Sequence, residues 1–66
     1  MQIIINGQPK SLTAPLNLYD ALAQEGVIGM TIAVARNGTF VPKGDYAHIV
    51  LEDGDDIEIV APMQGG

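Results

Sequence analysis

Gln2-Ile3-Ile4-Ile5-Asn6-Gly7-Gln8-Pro9-Lys10-Ser11-Leu12 decides how the rest of the chain has to fold. Three consecutive isoleucines are β-branched residues that fit a pleated, half-buried strand. Asn6-Gly7 comes next, and Asn-Gly is the strongest two-residue hairpin signal, because a type I′ turn needs φ > 0 at both central positions. Gln8 to Leu12 is then the returning strand. Pro9 has no N–H to give to a ladder, so that strand is expected at a sheet edge or paired on one side only. A hairpin this short needs something to pack on, and the next signals supply it. After the connector Thr13-Ala14-Pro15, Asn17 reads as a helix N-cap with Asp20 three residues on. Leu18, Ala21, Leu22 and Glu25 recur at helical spacing, with Leu18 and Leu22 on one face. Gly26 suits the left-handed C′ position. A helix of two to three turns is not stable alone and must lay its Leu face on a sheet.

Further strands complete that sheet. Ile32-Ala33-Val34-Ala35-Arg36 is expected as a strand, closed by a second turn signal, Asn37-Gly38. Thr39-Phe40-Val41 is a short strand ended by Pro42, with Phe40 expected in the core. Lys43 to Leu51 carries mixed signals: Gly44 argues for a loop, while Tyr46, Ile49 and Val50 suggest a buried irregular or 3₁₀ turn. Asp53-Gly54 is turn chemistry. Asp56-Ile57-Glu58-Ile59-Val60 alternates as the last strand, and Pro62 has no N–H with which to extend its ladder. A mixed sheet of four or five strands covered by one main helix, α+β, is the simplest two-layer solution. Leu18 and Leu22 are expected against Ile3, Ile5, Val34 and Ile59.

Composition narrows the chemistry. With 66 residues the chain is read as one domain, a folded core over 1–61 and a flexible tail over 62–66. Hydrophobic residues form 47% of it, and the mean hydropathy is +0.21, too apolar for disorder. Eight acids against three basic residues give a net charge of −5. Such a chain lacks the cation cluster that nucleic acid or anionic lipid would require, and it suits a partner with a basic docking face. The absence of cysteine removes disulfides, thiolate metal sites and cysteine nucleophiles. A cationic leader and a run of roughly 20 apolar residues are also missing, so the expected location is cytoplasmic. The single serine, Ser11, has no glycine elbow around it, and the single histidine, His48, is read as a packing or surface residue.

Two constellations remain. Glu52, Asp53, Asp55, Asp56 and Glu58 gather five acids in seven positions. They lack the spacing of a calcium loop, and no metal is expected there. They read as a solvated face, with Asp53, Asp55, Asp56 and Glu58 as docking candidates. Gly65-Gly66 is the other constellation. Side-chain-free residues can thread a narrow channel and take the shape it imposes, which would present the Gly66 carboxylate to another protein's active site. That carboxylate is inert until activated, and adenylation with ATP would supply AMP as a leaving group. The bland reading is a frayed end. Met63, next to these glycines, reads as a soft interface residue.

The segments Ile3-Ile4-Ile5-Asn6-Gly7, Asn17-Leu18-Tyr19-Asp20-Ala21-Leu22, Ile32 to Gly38 with Val41-Pro42-Lys43, His48, Leu51 to Val60, and Pro62-Met63-Gln64-Gly65-Gly66 together resemble the ThiS family of sulfur carriers nearly end to end. The resemblance implies a ubiquitin-like β-grasp fold with the last strand inside the sheet, beside the first. It implies a thiamine-pathway role in which an E1-like, ThiF-type adenylyltransferase adenylates Gly66 using ATP. A sulfur donor relay fed by a cysteine desulfurase then makes the thiocarboxylate, and a ThiG-type thiazole synthase takes the sulfur. Met63, Gln64 and Gly65 would thread the partners' active sites. The chain itself would be a cosubstrate, neither a catalyst nor a holder of a bound cofactor. Asn17 stands where the family commonly has Thr, and Met63-Gln64 where many members carry an apolar residue and a third glycine. The alternatives are a MoaD-type carrier for molybdopterin, whose chains are usually longer, and a non-covalent ubiquitin-like binding module.

Overall fold

The computed structural model describes residues 1–13 and 15–61. Five strands, β1 (Gln2–Ile5), β2 (Gln8–Ser11), β3 (Ala33–Arg36), β4 (Thr39–Val41) and β5 (Asp56–Val60), form one sheet in the order β2-β1-β5-β3-β4. Helix α1 (Leu18–Gln24) lies between β2 and β3 in sequence, and a 3₁₀ helix (Lys43–His48) comes after β4. β5 runs parallel to β1 and antiparallel to β3, so the last strand is central. This is the mixed sheet under one helix that the ubiquitin-like β-grasp arrangement requires.

Local chemistry produced these elements where the sequence placed them. Asn6 and Gly7 sit at φ 50° and 81°, and Asn37 and Gly38 at 51° and 82°, so both turns use the left-handed region that Asn and Gly tolerate. β2 pairs only with β1, which leaves Pro9 on the sheet edge. Asn17 Oδ1 accepts the Asp20 N–H at 2.7 Å, and Gly26 ends the helix at φ 75°. Ile3, Ile5, Val34, Val41 and Ile57 point from the sheet onto Leu18, Ala21 and Leu22, while Tyr46 and Leu51 close the core at its side. Ile59 packs on this cluster from a half-buried position, and Ile57 is the fully buried residue of β5.

Three expectations are corrected. Phe40 is 64% exposed and outside the core. Val41 pairs with Val34 on the inner face, so Phe40, one residue away, must point outward. Val50 is also exposed, because its segment is held by a backbone bridge to Asn17 while its side chain faces solvent. Asp55 is buried at 4% exposure, held by Arg36 and Asn37 instead of by solvent. The expected tail, 62–66, with the ladder-ending role given to Pro62, lies outside the described residues.

Candidate functional site

β5 is the element from which residues 61–66 continue, so the site is built around it. Its backbone alternates between its two neighbours. The Ile57 carbonyl accepts the Asn6 N–H at 2.9 Å on the β1 side, and the Asp56 carbonyl accepts the Asn37 N–H at 2.7 Å on the β3 side. The two Asn-Gly turns thus flank the strand, and their side chains join in. Asn37 Oδ1 accepts the Asp56 N–H at 2.9 Å. Asn6 Oδ1 accepts the Ile59 N–H at 2.8 Å, and Asn6 Nδ2 donates to the Ile59 carbonyl at 3.2 Å.

Asp55 is consumed internally. Its carboxylate accepts from Arg36 Nε at 3.0 Å, Asn37 Nδ2 at 3.0 Å and the Glu52 N–H at 2.8 Å, and it pairs with a terminal Arg36 nitrogen at 2.9 Å. Burial pushes its carboxyl up. The Glu52 amide, the Asn37 carboxamide and the Arg36 guanidinium outweigh that and hold it below the usual carboxylate range. A carboxylate with its lone pairs so occupied has none to offer a partner, which removes Asp55 from the expected docking set. Asp53 stays exposed but accepts the Gln2 N–H at 2.7 Å, at the end of the sheet where β5 begins.

The outer sheet face, opposite α1, carries the rest. Ile4 pairs with Asp56 across β1 and β5, Glu58 with Ala35 across β5 and β3, and Val60 with Ala33. Phe40 pairs with Ala35 from β4. Ile4, Phe40 and Val60 are all exposed, and a shallow recess between Ala33, Ala35, Phe40, Val60 and Glu58 lies on this face. An exposed acid at Glu58 therefore stands inside an apolar surface, with Asp56 two residues before it. At about 3.3 Å per residue, Asp56 lies roughly 13 Å from Val60 along the strand, so Glu58 is the acid closer to the point where the chain leaves the sheet. Apolar surface carrying a few fixed charges has the composition common where proteins meet.

Among the described residues, no three of His, Asp and Glu gather as a metal-binding group, and no helix is long and apolar enough to cross a membrane. His48 is exposed on the 3₁₀ helix. Met63, Gln64, Gly65 and Gly66 lie outside the described residues. Sequence reasoning missed Ile4, Phe40 and Val60 as surface, and took Asn6 for turn chemistry alone. Strand parity held the signal: Ile3 and Ile5 cannot both face inward without exposing Ile4, and Val60 shares its face with Glu58.

A family model described as ThiS family matches residues 3–66. Over all 66 residues the chain is 39% identical to a thiazole synthase of Paramagnetospirillum magneticum and 36% identical to one of Magnetococcus marinus. It covers only 20% of each, so it spans about a fifth of the length of those two relatives. It is 30% identical to the sulfur carrier protein ThiS of Escherichia coli, covering 100% of both chains. The crystal structure of a thiamine biosynthesis protein (ThiS) from Geobacter metallireducens superposes with a TM-score of 0.83 at 26% identity, over 100% of each chain.

Proposed function

The chain belongs to the ThiS family, and from that premise we propose that it is a sulfur carrier for thiamine biosynthesis which works through the Gly66 carboxylate. The observation that carries this reading is the match to the Escherichia coli carrier over the full length of both chains. The protein is then a cosubstrate and not a catalyst. An E1-like adenylyltransferase binds it with ATP. The Gly66 carboxylate attacks the α-phosphorus, pyrophosphate leaves, and an acyl-adenylate forms. A relay persulfide charged by a cysteine desulfurase attacks the acyl carbon and displaces AMP, giving an acyl disulfide. A second thiol then attacks the relay's sulfur, forming a disulfide with it and releasing the thiocarboxylate. Sulfur then carries the charge as a soft nucleophile, held on a macromolecule instead of free in solution, and a thiazole synthase consumes it.

The residues divide the work. Gly65 and Gly66 have no side chain to obstruct a narrow channel, and Met63 and Gln64 enter behind them. The outer sheet face docks the activating enzyme: Ile4, Phe40 and Val60 supply apolar contact, and Asp56 and Glu58 supply charge complementary to a basic rim. Asp53, farther along and bound to Gln2, is a peripheral member of that face. The matches within proteins named thiazole synthase favour a thiazole destination over molybdopterin.

Intact-mass spectrometry tests the proposal. A form ending at Gly66, given ATP, an E1-like adenylyltransferase and a sulfur source, is expected to gain the mass difference between sulfur and oxygen. Removal of Gly66, extension beyond it, or Gly65→Val is expected to abolish that gain while the circular dichroism spectrum stays unchanged. Equal gain by the extended form would overturn the carrier reading in favour of a non-covalent binding module.

A further inference from the structure

β1 ends at Ile5, and the chain turns away at Asn6-Gly7, yet β5 continues to Val60. The parallel register between these strands stops at Ile5↔Ile57. The backbone of Ile59 faces the same side as that of Ile57 and has no strand left to pair with there. Asn6 fills the gap with its side chain. Its carboxamide accepts the Ile59 N–H at 2.8 Å and donates to the Ile59 carbonyl at 3.2 Å, the two bonds that the backbone of a longer β1 would have made. We infer that Asn6 is a positioning residue: it extends the β1 side of the ladder to Ile59 and so fixes the point at which the chain leaves the sheet for its reactive end. On the other side, β3 holds the strand as far as Val60 through Ala33.

The position demands two properties at once. It needs a residue that tolerates φ 50°, and a side chain that is both donor and acceptor at short reach. Glycine has the first property only. Aspartate has the first and an acceptor, but its charge would face the Ile59 carbonyl. Asn is the residue that meets both conditions.

The consequence for function rests on the carrier reading. Residues freed at the end of β5 must be ordered again each time an active site draws the tail in, and a small misplacement of a reacting group lowers the rate steeply. Docking through the outer face is untouched by the Asn6 side chain, so its loss is expected to fall on kcat more than on KM.

The experiment compares wild type with Asn6→Gly, Asn6→Asp and Asn17→Ala. Asn6→Gly keeps the turn, because glycine accepts the same φ, and removes both bonds. Asn17→Ala weakens the helix cap, far from β5, and controls for lost stability alone. Amide hydrogen exchange at Ile59 is expected to speed up about tenfold in Asn6→Gly. In adenylation by the E1-like enzyme, kcat is expected to fall about tenfold in Asn6→Gly with KM for the carrier little changed. Asn6→Asp is expected to fall between wild type and Asn6→Gly, and Asn17→Ala to match wild type in both readouts. Unchanged exchange at Ile59 overturns the clamp. Faster exchange with wild-type kcat overturns the positioning role. Failure of wild type to be adenylated at all overturns the carrier reading, while exchange at Ile59 still decides whether the clamp exists.

Discussion

Asp55 shows how a side chain that reads as surface in the sequence becomes an internal tie. It links the turn after β3, through Arg36 and Asn37, to the turn before β5, through the Glu52 amide. Its carboxyl titrates below the usual range in the folded protein, so folding favours the ionised form. A folded value below the unfolded one of about 3.9 means that the stabilisation is fully present above that value. It is lost as pH falls through the lower folded value. Urea midpoints measured from pH 6 down to pH 2 are therefore expected to drop in wild type over the acid limb, and to drop less in Asp55→Asn, which has no proton to gain there. At neutral pH, Asp55→Ala leaves the Glu52 N–H and Asn37 Nδ2 without their acceptor and is expected to cost about 1–3 kcal/mol. An Asp55→Ala midpoint equal to wild type would mean the tie contributes nothing. Asn37 serves the same region from the other direction, accepting the Asp56 N–H while it donates to Asp55.

At the scale of elements, α1 is seven residues long and depends on its contacts. Leu22 is fully buried between the helix and the sheet, so Leu22→Ala is expected to cost about 2–5 kcal/mol, measurable by chemical denaturation. A loss below about 1 kcal/mol would mean that the helix face is not the core contact described. Asn17→Ala removes one capping bond and is expected to cost about 1 kcal/mol. The elements legible in the sequence were those fixed by local chemistry: two Asn-Gly turns, an Asn cap, a glycine after the helix and a proline on the edge. The central, parallel place of β5 was not local. No spacing within Asp56–Val60 says which strands flank it, and only the family resemblance supplied that. Phe40 was misplaced because size was read ahead of parity, although its partner Ala35 and its neighbour Val41 decide its face. The acidic block was legible as a cluster but not as two populations, because the burial of Asp55 depends on Arg36 and Asn37, nearly twenty residues away.

The whole molecule divides by layer: helix and inner sheet face hold the fold, and the outer face is left exposed, which is where the proposed docking falls. The net charge of −5 is unevenly useful: Asp55 is internal, Asp53 is bonded to the Gln2 backbone, and Glu25 pairs with Lys10 at 3.8 Å. Asp56 and Glu58 remain on the outer face beside Ile4, Phe40 and Val60. Exposed charges act mainly on encounter, over a screening length of about 8 Å at physiological salt, whereas buried apolar contact governs dissociation. The two contributions are therefore expected to separate in surface plasmon resonance with the E1-like adenylyltransferase. Asp56→Lys with Glu58→Lys is expected to slow association and flatten its salt dependence, leaving dissociation nearly unchanged. Phe40→Ser is expected to speed dissociation at every salt concentration and leave the salt slope as it is. Asp20→Lys, on α1 and away from this face, matches one such reversal in charge and tests whether net charge alone matters. If it slows association as much as Glu58→Lys alone, attraction is global and the outer face has no special part in it. If none of these variants alters association or dissociation, the enzyme recognises the tail without the sheet, and the exposed row from Ile4 to Phe40 has another use.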